Sequence, residues 1–113
     1  MRYEIAAEQG YEIAQANAGW ILDKGLANLN SASKEDPARF LLAFEYYRNS
    51  AEQKNGMGHL KIGDYYYYGL GTSINMEKAA QYYQAASDMR NAQATFNVGF
   101  MHQVVLFIFN YLW

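Results

Sequence analysis

Three carboxylates recur at matching places along the chain, Glu8, Glu52 and Asp88. A pair of carboxylates brought together can divide acid and base roles between them. The same recurrence describes a solvated stripe, one charge per repeated segment, with nothing to bring the charges together. The two histidines, His59 and His102, have no acidic or histidine partner at ligand spacing, so no metal site is read from them. The chain contains no cysteine, which removes disulfides and thiolate metal sites. No Ser-His-Asp arrangement, phosphate loop or HExxH stretch is present. Gly69-Leu70-Gly71 lacks the third glycine of a nucleotide loop and suits a helix end. No catalytic, cofactor-binding or metal-binding residue is assigned, and the expected function is non-catalytic.

The elements that carry these residues read as helices. The 113 residues are 51% hydrophobic and 18% charged, a globular composition, and the net charge of −2 offers no basic footprint for nucleic acid. Small and apolar residues recur at helical spacing, as in Ala14, Ala18 and Leu22, or Gly58, Ile62 and Tyr66. Three segments align on these positions. The first holds Ala7, Gly10, Ala14 and Gly19, the second Ala51, Gly58, Ile62 and Gly63, the third Ala86, Ala94 and Gly99. The interval from the small residue to the late glycine is 12 (7 to 19), 12 (51 to 63) and 13 (86 to 99). An extra residue is therefore expected in the inter-helix turn of the third segment. The late glycines are 44 apart (19 to 63) and then 36 apart (63 to 99), so the first linker is the longer one.

Each segment predicts two antiparallel helices, over 2–9 and 11–24, 37–53 and 56–68, and 76–89 and 91 to about 109. Asp36 with Pro37, and Asn75, suit helix starts. Gly69 and Gly71 open the second linker. The first linker is polar, and Leu26 to Glu35 should be more mobile than the helices, with Lys34 the first proteolytic site. At about 100° per residue, Gly58, His59, Ile62, Gly63 and Tyr66 share one face. That places Tyr66 in the core, Tyr65 at its flank and Tyr68 opposite, near Lys61 and Asp64. Gly63 is expected where the two helices of its own unit approach closely. Tyr67 and Tyr68 either fill gaps between neighbouring repeats or act as recognition anchors, since tyrosine brings large apolar area and a hydroxyl at low entropy cost.

The fold expected is all-α, a solenoid of about three antiparallel helix pairs over residues 1–103, with units at about 2–24, 37–68 and 76–103. Residues 104–113, Val-Val-Leu-Phe-Ile-Phe-Asn-Tyr-Leu-Trp, form an apolar tail outside the repeat pattern. The tail is read in three ways: a continuation of the last helix that caps the stack, a non-native end that is poorly ordered or sticky, or part of a membrane segment; self-association through it is expected.

The run Ile62-Gly63-Asp64-Tyr65-Tyr66-Tyr67-Tyr68-Gly69-Leu70-Gly71, followed by Glu77-Lys78-Ala79, resembles the signature of the Sel-1-like repeat family. The first copy carries Leu22 at the tyrosine position and Ala27 at the second glycine. Over about residues 2–103 the chain is also similar to the final repeats of the Sel-1-type lumenal adaptors of endoplasmic-reticulum-associated degradation. That resemblance implies a fragment of such an adaptor, a protein partner in the membrane ubiquitin ligase, and location in or at the endoplasmic reticulum lumen. It implies membrane contact only through the partner or the tail. The opening residues Met1 to Ile5 lack the apolar stretch of a secretory signal. The alternatives are a general Sel-1-like scaffold in another compartment, or a small enzyme.

Overall fold

A computed structural model describes residues 12–25 and 38–111. The helix expected over 2–9 with Ala7 and Gly10, the Asp36–Pro37 cap and the Leu26–Glu35 linker with Lys34 lie outside the described residues. Among the described residues the chain is all-α. It forms α1 (Glu12–Asp23), α2 (Ala38–Glu52), α3 (Gly56–Tyr68), α4 (Met76–Asp88) and α5 (Ala92–Tyr111). Each helix packs chiefly against its neighbours in sequence, α1 on α2, α2 on α3, α3 on α4 and α4 on α5. This is the nearest-neighbour arrangement of a solenoid.

Asparagines start three of the helices. The Asn55 side chain accepts from the Gly58 amide at 2.9 Å, Asn75 from Lys78 at 3.0 Å, and Asn91 from Ala94 at 2.9 Å. Each satisfies one donor that the first helical turn leaves open. Gly69 ends α3 in the left-handed region, φ 73°, and its amide donates to the Tyr65 carbonyl at 2.8 Å. Gly71 is also left-handed, and a Cβ there would lie 2.8 Å from the Phe40 carbonyl oxygen. The linker therefore lies backbone against backbone on the first turn of α2.

The turns within the second and third units correct the expected extra residue. Lys54 and Arg90 are both left-handed, with φ 64° and 65°. The Asn55 amide donates to the Ser50 carbonyl and the Asn91 amide to the Ala86 carbonyl, at 3.2 and 3.0 Å. Both pairs are 36 residues apart, the same interval that separates Gly63 from Gly99. The third unit carries no insertion. Ala86 corresponds to Ser50, both fully buried, and not to Ala51.

The glycines divide into two kinds of contact. Gly58 serves its own unit: a Cβ there would come within 2.8 Å of the Ala51 amide nitrogen, so α3 touches the α2 backbone. Gly63 serves the next unit, contrary to expectation. A Cβ on Gly63 would sit 2.6 Å from the Tyr83 ring of α4, and one on Gly19 would sit 2.8 Å from the Tyr47 ring of α2. Each tyrosine ring thus lies on the helix of the preceding unit, where only a hydrogen leaves room. The third glycine, Gly99, has nothing within 4 Å of its Cβ position.

The core forms two linked clusters. Leu22, Ala43, Phe44, Tyr47, Ala51, Ile62 and Tyr65 make one, and Leu60, Ala79, Tyr83, Ala86 and Ala94 make the other. Tyr65 is 1% exposed and is the central ring, whereas Tyr66 is half-buried and packs against both clusters. The order expected from one buried face is reversed because α3 buries two faces, one toward α2 and one toward α4. In α5 only the first half is packed, with Ala94 buried and Val98 and Met101 against the second cluster. The helix runs on to Tyr111, so most of the apolar tail continues it. Val105, Phe107 and Phe109 stand exposed there. By length and composition alone, α5 is long and apolar enough to cross a membrane.

The two kinds of glycine predict opposite responses to a side chain. Gly63→Leu forces the Tyr83 ring off α3 and should cost roughly 1–3 kcal/mol. Gly99→Leu meets no neighbour and replaces a poor helix former, so it should leave the protein as stable or up to about 1 kcal/mol more so. Thermal melts followed by far-UV circular dichroism check both. Equal melting temperatures for the two variants would show that ring and glycine do not touch.

Candidate protein-interaction site

The same stacking that builds the core assembles a groove at the third unit. Its floor is a pair drawn from successive units. The Tyr83 hydroxyl donates to Asp64 Oδ1 at 2.5 Å, directly beside the Gly63 contact. The preceding junction repeats the chemistry with the carboxylate moved: the Tyr47 hydroxyl donates to Asp23 Oδ2 at 3.2 Å. Asp64 follows its glycine by one residue and Asp23 by four (63 to 64, 19 to 23). Both offsets stay on the same side of a helix, within about 100° of the glycine. A carboxylate can therefore reach the ring's hydroxyl from either place.

Burial sets the electrostatics of these pairs. The Asp64 carboxyl is pushed up from its ordinary range by burial, which the Tyr83 hydrogen bond and the nearby Lys61 partly offset. The Tyr47, Tyr65 and Tyr83 hydroxyls are all raised well above the ordinary phenol range, in each case first by burial. The Asp23 carboxylate adds to this for Tyr47 and Tyr65, and the hydrogen bond to Asp64 for Tyr83. Tyr65 is held in a ring cage, 5.4 Å from Tyr47 and 6.2 Å from Phe40 edge-on, with Phe44 stacked at 6.1 Å.

Above that floor lies a cavity of about 410 Å³. Tyr67 and Tyr68 form one wall, their rings 4.9 Å apart and T-shaped. Phe96 and Phe100 of α5 form the other, with Asn97 and Gln93 at the rim. Tyr68 is 65% exposed and Tyr67 half-buried. Aromatic walls over a hydrogen-bonded acidic floor suit an apolar or aromatic peptide side chain that ends in a polar donor.

The structure thus brings Tyr67 and Tyr68 together with residues that sequence patterns did not single out: Asp64, Tyr83, Phe96 and Phe100. The signal that could have found them is the 36-residue interval, which places Tyr83 after Tyr47 as it places Gly99 after Gly63. Of the recurring acids, Glu52 and Asp88 stand exposed at the ends of α2 and α4, and Asp88 accepts from Gln84 at 3.0 Å. Glu8 lies outside the described residues. His59 lies 2.9 Å from the Asn55 carbonyl through Nδ1 and leans on the Tyr82 ring at 5.8 Å. His102 is exposed on α5. Tyr66 lies between Phe44 and Tyr82, with the Lys78 ammonium 5.3 Å from its ring centre.

The buried hydroxyls fix the sign of a pH response. Unfolded tyrosines lose their protons near pH 10, while the folded ones keep theirs. Their contribution to stability is complete below that pH and is lost as the pH rises above it. In an alkaline titration, tyrosinate absorbance from Tyr47, Tyr65 and Tyr83 should appear only together with loss of helicity. Ionisation of all the tyrosines near pH 10 with the helices intact would overturn this. The Asp64 shift has the same sign, so its contribution is full below the ordinary carboxylate range and is lost as the pH rises through its raised value. Asp64→Asn keeps an acceptor for Tyr83 without a buried charge, so the melting temperature at pH 7 should not fall.

Comparison with known proteins agrees with this architecture. The family model described as "Sel1 repeat" matches residues 13–55 and 56–91. The chain is 40% identical over 104 residues to human protein sel-1 homolog 2, covering 91% of this chain and 14% of that protein. It is 43% identical over 105 residues to ERAD-associated E3 ubiquitin-protein ligase component HRD3A of Arabidopsis thaliana, covering 89% of this chain and 16% of that protein. The chain thus spans about one sixth or less of the length of these relatives. Among solved structures it is similar to a protective antigen with an SLR fold from uropathogenic Escherichia coli strains, with a TM-score of 0.75 and 36% identity over 88% of this chain and 20% of that one. With that match spanning more than half of its residues, the chain belongs to the Sel1 repeat family.

Proposed function

We propose that this chain is a non-catalytic interaction scaffold of endoplasmic-reticulum-associated degradation, at or in the endoplasmic reticulum lumen, and that it contributes part of a surface that binds a membrane ubiquitin ligase. The observation that carries the scaffold reading is the use made of the partly buried acids at the junctions. Asp23 and Asp64 each accept a tyrosine hydroxyl from the adjoining unit, so their carboxylates hold the array together. The exposed acids, Glu52 and Asp88, stand on separate helices. The degradation pathway is supported by relatives named as components of an ERAD-associated E3 ubiquitin-protein ligase. The groove walled by Tyr67 and Tyr68 is the surface offered to the partner. Its aromatic area and exposed hydroxyls fit the residue types that dominate binding energy at protein interfaces.

Purified chain should bind peptides from the lumenal segments of the ligase in a fluorescence anisotropy titration. Tyr68→Ala should weaken that binding by about tenfold or more and leave the melting temperature unchanged, because the ring is largely exposed. Unaltered affinity would remove Tyr68 from the contact, and no binding by the parent chain would remove the ligase.

A further inference from the structure

Gly56, at the start of α3, serves neither a turn nor a close contact. The left-handed glycines among the described residues are Gly25, Gly69 and Gly71, so no backbone angle at Gly56 calls for one. A Cβ there would meet Met89 Cβ at 3.5 Å, an ordinary contact, where one on Gly58 would strike the Ala51 amide nitrogen at 2.8 Å. The third unit shows the alternative. Thirty-six residues on, Ala92 stands in the place of Gly56 (56 to 92). The cap around it is the same: the Asn91 amide donates to Ala86 as that of Asn55 does to Ser50, and Asn91 Oδ1 accepts from Ala94 as Asn55 Oδ1 does from Gly58. Alanine therefore fits this cap, and it is the better helix former.

What the glycine changes is the chemistry of the residue before it. With no side chain to shield it, the Gly56 amide nitrogen can reach Asn55 Cγ, the carbon of the side-chain amide. No other asparagine of the chain precedes a glycine. In the folded protein the attack is blocked. With ψ 123° at Asn55, the Gly56 nitrogen points away from Cγ. Turning it inward rotates the peptide group that carries the Asn55 carbonyl. That rotation breaks the 3.1 Å bond from the His59 amide to this carbonyl and draws Asn55 Oδ1 off the Gly58 amide, now 2.9 Å away.

We propose that Asn55-Gly56 is a self-modification site, silent while the α2–α3 turn is closed and reactive once it opens, and that its isoaspartate product keeps the second unit from refolding. The lone pair of the Gly56 nitrogen forms a bond to Asn55 Cγ, and the nitrogen gives up its proton. The Cγ–Nδ2 bond breaks, and Nδ2 leaves with that proton as ammonia. A water molecule then opens the cyclic imide. Cleavage of the new Cγ–N bond returns an ordinary main chain with aspartate at position 55. Cleavage at the main-chain carbonyl leaves the chain running through Cγ, as isoaspartate. No oxidant or reductant enters. The aspartate product caps a helix start as well as asparagine does. Isoaspartate inserts a methylene into a turn that has no slack, between the Asn55–Ser50 bond at 3.2 Å and the backbone contact of Gly58 on Ala51.

Peptide mapping by mass spectrometry tests this on the full chain, aged at neutral pH in buffer and in urea. Isoaspartate is counted by enzymatic methylation of its carboxylate. A closed turn reacts only through its open fraction. Asn55 should therefore be lost about tenfold or more faster in urea than in buffer, while Asn91 in the same chains persists in both. Gly56→Ala should slow the loss in urea by about tenfold or more and melt as the parent does. After removal of urea, chains bearing isoaspartate should stay unfolded by far-UV circular dichroism, whereas Asn55→Asp should fold as the parent does. Equal loss in buffer and urea would show that the turn gates nothing. Loss of Asn91 as fast as Asn55 would show that the glycine is not the cause. Isoaspartate-bearing chains that regain the parent melting temperature, or an Asn55→Asp variant that fails to fold, would overturn the added methylene as the barrier.

Discussion

An aromatic ring lying on a bare stretch of helix backbone joins one unit of this protein to the next. Tyr47 occupies the space above Gly19, and Tyr83 the space above Gly63. The contact brings two helices to their closest approach while burying one of the largest apolar surfaces a side chain can offer. Because each unit touches only its neighbours, nothing distant can compensate for a lost junction. The ring cage around Tyr65 and the second cluster around Leu60 both form on either side of these rings. Helix capping and linker geometry set where the rings arrive, and the glycine decides whether they can land.

The hydroxyl at the end of each ring gives the junction its register. An unpaired hydroxyl in such a place is costly, and so is an unpaired carboxylate. Pairing the two makes one arrangement far better than its slipped alternatives. The shift in the Asp64 carboxyl shows that the pair is not free of charge burial. Specificity of stacking and raw stability are thus drawn from different parts of the same tyrosine, the ring supplying area and the oxygen supplying alignment.

Much of this is legible from residue types. Helical spacing, the Gly-x-Gly linker and the Asn75 cap place the described elements to within a residue or two. The contacts are harder to read, for a physical reason. In a periodic array, a small residue that serves its own unit and one that serves the next recur with the same interval, so spacing cannot tell Gly58 from Gly63. The small residues also make a poor ruler, since Ser50 and Ala86 are equally buried and chemically unlike. The asparagine caps Asn55 and Asn91 keep a stricter distance because both are bound to backbone. A helical wheel with a single core face ranks Tyr66 above Tyr65, and α3, packed on both sides, has no single face. Asp64 is hidden in the sequence because a lone acid beside tyrosines looks like a solvated charge until the following helix is in place.

The linker after α3 has a consequence for the array as a whole. Gly71 lets two stretches of main chain meet, its own and that of Phe40, with no side chain as a spacer. Such a joint has almost no give, since neither partner has rotamers to absorb a displacement. The close approach helps to set the direction in which α4 leaves the second unit, and α5 inherits that direction through its packing on α4. A single methyl group at this position would act less as a local wound than as a bend in a staircase, turning the last flight as one body against those before it.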